Sequence, residues 1–224
     1  MSYSLLIPVY NEERTVPLLI NKLKKLDDQI EIIIIDDGSN DKTNSLLINN
    51  NNFIIIHNDT NKGKGHAIKK GIARALNQNI IIMDGDLEVE VDDIPMLIKK
   101  YEQNNYEPLV GIRWSNNNDF SNLHTVGNYF INWIFNLLYK SNFRDVLCCT
   151  KILKKEILKS LSLKSNGFSI ETEIMTKLAL RNYVITEQQI RYNRRTVEEG
   201  KKLRLLDSWS IIWTIIKYKF SNAS

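Results

Sequence analysis

A chain of 224 residues, 43% hydrophobic and 25% charged, fits one sizeable globular domain and argues against wholesale disorder. Its formal charge of +4 is modest, and its two cysteines, Cys148 and Cys149, are adjacent, which excludes a disulfide framework or a Cys-based zinc finger and points to a reducing compartment. No apolar run approaches the about 18 residues of a membrane-spanning helix, and the first residues lack the basic start of a signal peptide. Four β-branched, continuous apolar runs at 4–9, 31–35, 53–56 and 80–83 read as strands buried on both faces of a parallel sheet. Helical patterns separate them. The first is capped at Thr15 with Pro17 in its first turn and lined by Leu19, Leu23 and Leu26. A second opens at Asp41, and a third, over 64–76, has Ile68, Ile72 and Ala75 on one side. Asp92 and Pro95 start a fourth, with Ile94, Leu97, Ile98 and Tyr101 pointing inward. Such alternation predicts a doubly wound α/β fold.

The second half is less regular. Residues 104–122 read as an Asn-rich loop around one strand, Leu109–Ile112. Helical patterns follow at about 123–139, 151–160 and 170–181, then a strand pair near 183–193 and a closing segment over 203–220. With no internal repeat and no linker, residues 1–224 are expected to form a single domain.

Ligands of open α/β sheets bind beyond the carboxyl ends of the strands. Four polar loops fall there: Pro8-Val9-Tyr10-Asn11-Glu12, Asp36-Asp37-Gly38-Ser39, Asn61-Lys62-Gly63-Lys64-Gly65 and Asp84-Gly85-Asp86-Leu87-Glu88. Any one of them is ordinary turn chemistry. Four in register predict a site. Asp84 and Asp86, alternate carboxylates after a buried strand, can reach one hard divalent cation, Mg²⁺ or Mn²⁺, bridging to a diphosphate, with Glu88 placed to help. His57, His66 and His124 are scattered and read as structural or solvent-exposed.

In that order and spacing, PVYNE, DDGS, NKGKG and DGDLE resemble the family 2 glycosyltransferases of GT-A fold, an α/β architecture with a mainly parallel central sheet flanked by helices. Gly111-Ile112-Arg113, Asp145 with Cys149 and Lys151, Gly167-Phe168 with Glu171 and Glu173, and the run from Arg195 to Lys202 are similar to the polyprenyl-phosphate sugar transferase branch, which includes the dolichyl-phosphate mannosyl- and glucosyltransferases. The resemblance implies a nucleotide-sugar-binding half, about 1–102, and an acceptor half, about 103–224. Pro8, Tyr10, Glu12, Asp36, Asp37, Lys64, Asp84, Gly85 and Asp86 would then hold the donor, a GDP-mannose or UDP-glucose type. Asp84, Asp86 and Glu88 would hold the metal, and Asp86, Asp145 and Arg113 would serve catalysis. Arg113, Arg195, Lys201 and Lys202 would meet phosphates, including that of a lipid acceptor. Asp145 is read either as a base or as the orienter of Arg113, and Glu173 as structural. The chain departs from the branch at Val146 to Thr150, which leaves a glycan hydroxyl open as an alternative acceptor and a non-catalytic nucleotide-sugar binder as a further reading.

Residues 191–219 carry eight Lys or Arg against three Asp or Glu, while the rest of the chain carries 22 against 23. This basic end suits phosphate or an anionic membrane surface. No nucleic-acid-binding pattern accompanies it, so nucleic acid is not an expected partner, and the sequence carries no signal for oligomeric state. Two aromatic stretches, Tyr129 to Phe135 and Trp209 to Phe220, read either as packing on the sheet or as membrane contact. The expected location is cytoplasmic, peripheral on the cytosolic face of a membrane.

Overall fold

The computed structural model describes residues 2–113, 123–195 and 205–221. One seven-stranded sheet runs through them in the order β3-β2-β1-β4-β6-β5-β7. The four expected strands are β1 (Tyr3–Val9), β2 (Ile30–Asp36), β3 (Ile54–His57) and β4 (Asn79–Ile82). All pair in parallel, β1 lying between β2 and β4. Alternate residues of each central strand feed opposite cores. Leu5, Ile7 and Ile34 pack on one face, Leu6, Ile33 and Ile35 on the other. This explains why the runs are apolar throughout rather than alternating.

The helices are α1 (Val16–Leu23), α2 (Thr43–Ile48), α3 (Lys64–Arg74), α4 (Ile94–Gln103), α5 (Leu123–Tyr139), α6 (Lys155–Ser160), α7 (Ile170–Leu180) and α8 (Leu205–Ser221). Residues of α1, α4, α5 and α8 fill the first core, and those of α3 and α6 the second. A short 3₁₀ turn, Val91–Asp93, precedes α4, so the helix begins two residues after Asp92. Asp93 is diverted from capping to Arg191, whose backbone N–H it accepts at 2.7 Å and whose Nε it accepts at 2.8 Å.

Two expectations are corrected. The helix expected over 151–160 is a strand, β6 (Lys151–Lys154), followed by α6. β6 runs antiparallel to both β4 and β5 (Leu109–Ile112). Ile152 and Leu153 are both completely buried because their strand lies inside the sheet, so pairing with β4 overrides a locally helical pattern. The strand pair near 183–193 is one strand, β7 (Thr186–Gln189), parallel to β5, followed by an isolated bridge from Tyr192 to Val89.

The chain moves outward from β1 through β2 to β3, then returns to place β4 on the other side of β1. The reversal opens a crevice at the carboxyl ends of β1 and β4, where doubly wound sheets bind ligands. Gly85 stands in it because an added Cβ would lie 2.4 Å from Val9 Cγ1. Gly38, at φ +73°, makes the turn after β2 where a Cβ would meet the Thr60 carbonyl carbon at 2.4 Å.

Candidate active site

The loop after β1 carries Pro8, buried in the strand, half-buried Tyr10, and Glu12, which is 6% exposed. Asn11 takes a left-handed conformation, φ 47°, held by its N–H to Ser39 Oγ at 2.8 Å and by Asn40 N–H to its own side-chain oxygen at 2.8 Å. The β1 and β2 loops are thereby fastened together. Asp36 and Asp37, at the end of β2, are buried. Asp36 accepts from Ser39 N–H at 3.1 Å and lies 2.9 Å from His57 Nδ1. Asp37 accepts from Asn58 Nδ2 and Gly63 N–H, both at 2.6 Å, and so folds the third loop. Their carboxylates shape the loops around the crevice.

Lys64, the first residue of α3, reaches across to both oxygens of Asp84, at 2.7 and 2.8 Å, and pairs closely with Glu171 at the start of α7. Burial alone would lower its pKa; Asp84 and Glu171 outweigh burial and hold the ammonium well above its usual range. Asp86 is in the opposite situation. Burial, then the charges of Asp84 and Glu88, push its carboxyl up to about 7. Leu87 beside it has φ 62°, a left-handed bend in a residue with a bulky side chain. Such a conformation persists where the surroundings impose it, often at binding sites.

Glu88 is not turned to the same purpose. Its oxygens accept from Tyr192 Oη at 2.8 Å and from Arg195 N–H at 2.9 Å. Arg195 in turn clamps Glu12 with two guanidinium nitrogens, at 2.7 and 3.1 Å, and donates to the Asp86 carbonyl at 3.2 Å. The segment after β7 is therefore drawn over the crevice between the loops that follow β1 and β4. Arg113, at the end of β5, is gripped by Asp145 through Nε at 2.8 Å, Nη2 at 2.9 Å and its backbone N–H at 3.1 Å. Its guanidinium also lies 5.5 Å from the centroid of the Tyr192 ring. Tyr192 thus connects Arg113 to Glu88, and Glu88 connects to Arg195.

The structure brings Glu12, Asp86, Glu88 and Arg195 into one network, and Lys64 and Asp84 into another with Glu171. It does not gather Asp84, Asp86 and Glu88 as a three-carboxylate cage; among the described residues no group of three His, Cys, Asp or Glu side chains is arranged to hold a metal. The donor set fits a cation differently. Asp86 is a carboxylate whose ionisation a nearby cation would favour, on the same turn as Asp84, and Mg²⁺ or Mn²⁺ commonly completes its shell with water and substrate phosphate. Lys201 and Lys202 lie outside the described residues.

Two contributors were not among the expected site residues. Glu171 and Glu173 lie two apart on α7, a spacing that sends them to different faces, and the structure sends Glu171 to Lys64 and Glu173 into the core. The sequence reading takes Glu173 as structural, but nothing local in it points Glu171 to Lys64. Tyr192 is found only through the bridge that places it over Val89.

The sequence profile described as glycosyl transferase family 2 matches residues 4–162, and the chain belongs to that family. It is a glycosyltransferase of GT-A fold. An uncharacterised protein of Methanocaldococcus jannaschii is 33% identical over 201 residues, covering 83% of this chain and 85% of that one. The dodecaprenyl-phosphate galacturonate synthase of Rhizobium johnstonii is 29% identical over 172 residues, 73% of this chain. The undecaprenyl-phosphate 4-deoxy-4-formamido-L-arabinose transferase of Photorhabdus laumondii is 32% identical over 167 residues, 70% of this chain. The matches span 51% and 50% of those two enzymes, so this chain corresponds to about half the length of each. The glucosyl-3-phosphoglycerate synthase of Mycobacterium tuberculosis, solved with Mn²⁺, uridine diphosphate and phosphoglyceric acid, superposes with a TM-score of 0.77. It is 17% identical, with 98% of this chain and 78% of that one covered, a likeness of fold.

Proposed function

We propose that this glycosyltransferase moves a hexose from a nucleotide sugar of the GDP-mannose or UDP-glucose type to a polyprenyl phosphate, inverting the anomeric centre. The observation that carries the choice of acceptor is the engagement of Asp145. This carboxylate, the one the sequence offers as a base, gives both oxygens to Arg113. A hydroxyl acceptor needs a base to remove its proton, whereas a phosphate is already anionic at neutral pH. Two of the relatives carry polyprenyl-phosphate transfer in their names, which agrees.

In this reading Asp84 and Asp86 hold Mn²⁺ or Mg²⁺, which when bound neutralises the charge of the departing nucleoside diphosphate. The loops after β1 and β2 seat the nucleoside, with Glu12 fixed by Arg195 and Thr15. Lys64 adds a fixed positive charge beside Asp84. Arg113, held rigid by Asp145 and Tyr192, and Arg195 orient the acceptor phosphate. Residues 1–224 act as a single domain, the first half binding donor and the second acceptor, at the cytosolic face of a membrane.

The test is transfer of radiolabelled sugar from a panel of nucleotide sugars to polyprenyl phosphate, with Mn²⁺ or with chelator. Metal-dependent label in the lipid phase is the expected result. Label on a glycan primer and none on lipid would favour the hydroxyl acceptor, and no turnover of any donor would overturn the enzymatic reading. A second expectation concerns Asp145 as a positioning residue. Asp145→Asn should raise the acceptor KM by about tenfold or more while the rate at saturating acceptor changes little, because Arg113 loses its bidentate anchor. A loss confined to kcat, recovered at high pH with a stronger nucleophile, would make Asp145 the base after all.

A further inference from the structure

We infer that the outer faces of α5 and α8 form a docking surface for an anionic lipid bilayer. Each helix has two apolar sides. On α5, Ile131 and Phe135 enter the core, while Phe130, Trp133 and Leu137 stand 54%, 58% and 63% exposed. On α8, Ile211 and Ile215 are buried, while Trp209, Trp213 and Phe220 are 73%, 65% and 65% exposed. The exposed residues recur at intervals of three, four and seven, which makes each set a stripe along its helix. Three tryptophans and two phenylalanines in solvent are more apolar surface than scattered side chains explain.

The two stripes belong to one side of the molecule. Both helices pack against the same core, and Tyr139 Oη at the end of α5 donates to the Ile215 carbonyl of α8 at 2.8 Å. Lys219 Nζ lies 5.2 Å from the centroid of the Tyr139 ring.

Charge selects the occupant. The segment Leu123–Tyr139 contains no Asp, Glu, Lys or Arg, and Leu205–Ser221 sets Lys217 and Lys219 against a single acid, Asp207. Lys217 is exposed between Trp213 and Phe220. A second copy of this chain would bring lysines toward lysines; an anionic bilayer accepts both the lysines and the aromatic rings, and Trp beside basic residues is characteristic of membrane interfaces. Among the described residues no helix is long and apolar enough to cross a membrane, so α5 and α8 would lie along its surface.

The location serves the site. Thr125, in the first turn of α5, accepts from Arg194 Nη1 at 3.0 Å, and the next residue, Arg195, clamps Glu12. A bilayer seated on α5 brings lipid headgroups to the edge of the crevice. The inference goes beyond the transfer reaction and stands without it, since the binding can be measured with neither sugar nucleotide nor polyprenyl phosphate present.

The experiment is sedimentation of the full chain with phosphatidylglycerol vesicles and with phosphatidylcholine vesicles, with tryptophan emission followed in parallel. The expected result is co-sedimentation with phosphatidylglycerol, a blue shift of emission, and weaker binding as salt rises. Trp213→Ser and Phe130→Ser should each lower the partition coefficient on the order of tenfold, and Lys217→Glu should lower it for phosphatidylglycerol alone. All three positions are exposed, so melting temperatures should stay within about a degree or two of wild type, an effect under about 0.5 kcal/mol. Equal partition into both vesicle types, or unchanged binding by the Ser variants, would overturn the inference. So would a solution dimer that ignores vesicles and becomes monomeric in Trp213→Ser, which would assign the face to a second copy.

Discussion

Asp86→Asn is expected to remove sugar transfer and to make the protein melt higher. Asp86 sits half-buried beside Asp84 and Glu88, and its carboxyl is pushed from the ordinary 3.8 up to about 7 by burial and then by those two charges. A raised carboxylate pKa means that the folded state resists ionisation. The sign follows: below about pH 4 the folded and unfolded chains are both protonated here and there is no penalty. The penalty grows as pH rises from the ordinary value toward 7 and is complete above it. Asparagine keeps an oxygen where Asp86 accepts the Glu88 N–H at 3.0 Å, and removes the charge. Discounted for the solvent that reaches a half-buried group, the gain is about 1–2 kcal/mol, or a melting temperature higher by about 2–8 °C at pH 8. The gap should close toward pH 4. The same substitution should lower transfer by about a thousandfold or more, because the cation and the leaving diphosphate lose their ligand. Thermal melts with added Mn²⁺ read the metal separately: wild type should rise and Asp86→Asn should not. A variant that is fully active, or one that melts lower at pH 8, would refute the account of this carboxylate as a charge held for a cation.

That tension between local stability and chemistry was half visible in the sequence. Strands β1 to β4 and the loops after them could be read because buried parallel strands are apolar throughout and their ends turn abruptly polar. β6 could not. The stretch from Lys151 to Leu161 has helical spacing of its apolar residues, and only the neighbouring β4 extracts its first four residues into the sheet. The site divides in the same way. The alternate carboxylates announce themselves because they are local, three residues on one turn. Their partners do not, since Arg195 and Glu12 are 183 residues apart and Arg113 and Asp145 are 32 apart. Pairing across such separations is set by the tertiary fold. It changed the reading of Glu88, which anchors Tyr192 and Arg195, and for Asp145 it supplies the pairing with Arg113, one of the two readings that the sequence left open. The aromatic stretches, read as either core or membrane contact, have one buried face and one exposed face.

The largest effect on stability is expected at Glu173, remote from the reacting groups. Its side chain is completely buried and accepts four hydrogen bonds: Lys177 Nζ at 2.6 Å, Tyr218 Oη at 2.7 Å, and the N–H groups of Lys164 and Ser165 at 2.8 and 2.6 Å. Burial alone would raise its pKa, but the bonds from Lys177, Tyr218 and the two backbone N–H groups outweigh burial and bring it down to about 2. Glu173 thereby joins α7, α8 and the loop at 164–165 at one point. In Glu173→Gln the amide NH₂ cannot accept, and the Lys177 ammonium is left without its counter-charge. Breaking one side of a buried pair costs about 3–5 kcal/mol, a fall of roughly 6–20 °C in melting temperature. Activity should fall as well, by displacement. The backbone at Ser165 and Asn166 packs so closely on Gly63 and Gly65 that a Cβ on either would lie 2.4 Å from a carbonyl oxygen, and Lys64 stands between those glycines. The pH dependence identifies the mechanism. A depressed carboxylate contributes its stability above the ordinary value of 4.5 and loses it as pH falls toward 2. Urea titrations of wild type and Glu173→Gln should therefore differ by a constant amount from pH 8 to about 5 and converge below about 4.5. A difference that persists unchanged into acid would mean that the glutamine is merely misshapen for its cavity, and that the charge of Glu173 does not hold α7, α8 and the loop at 164–165 together.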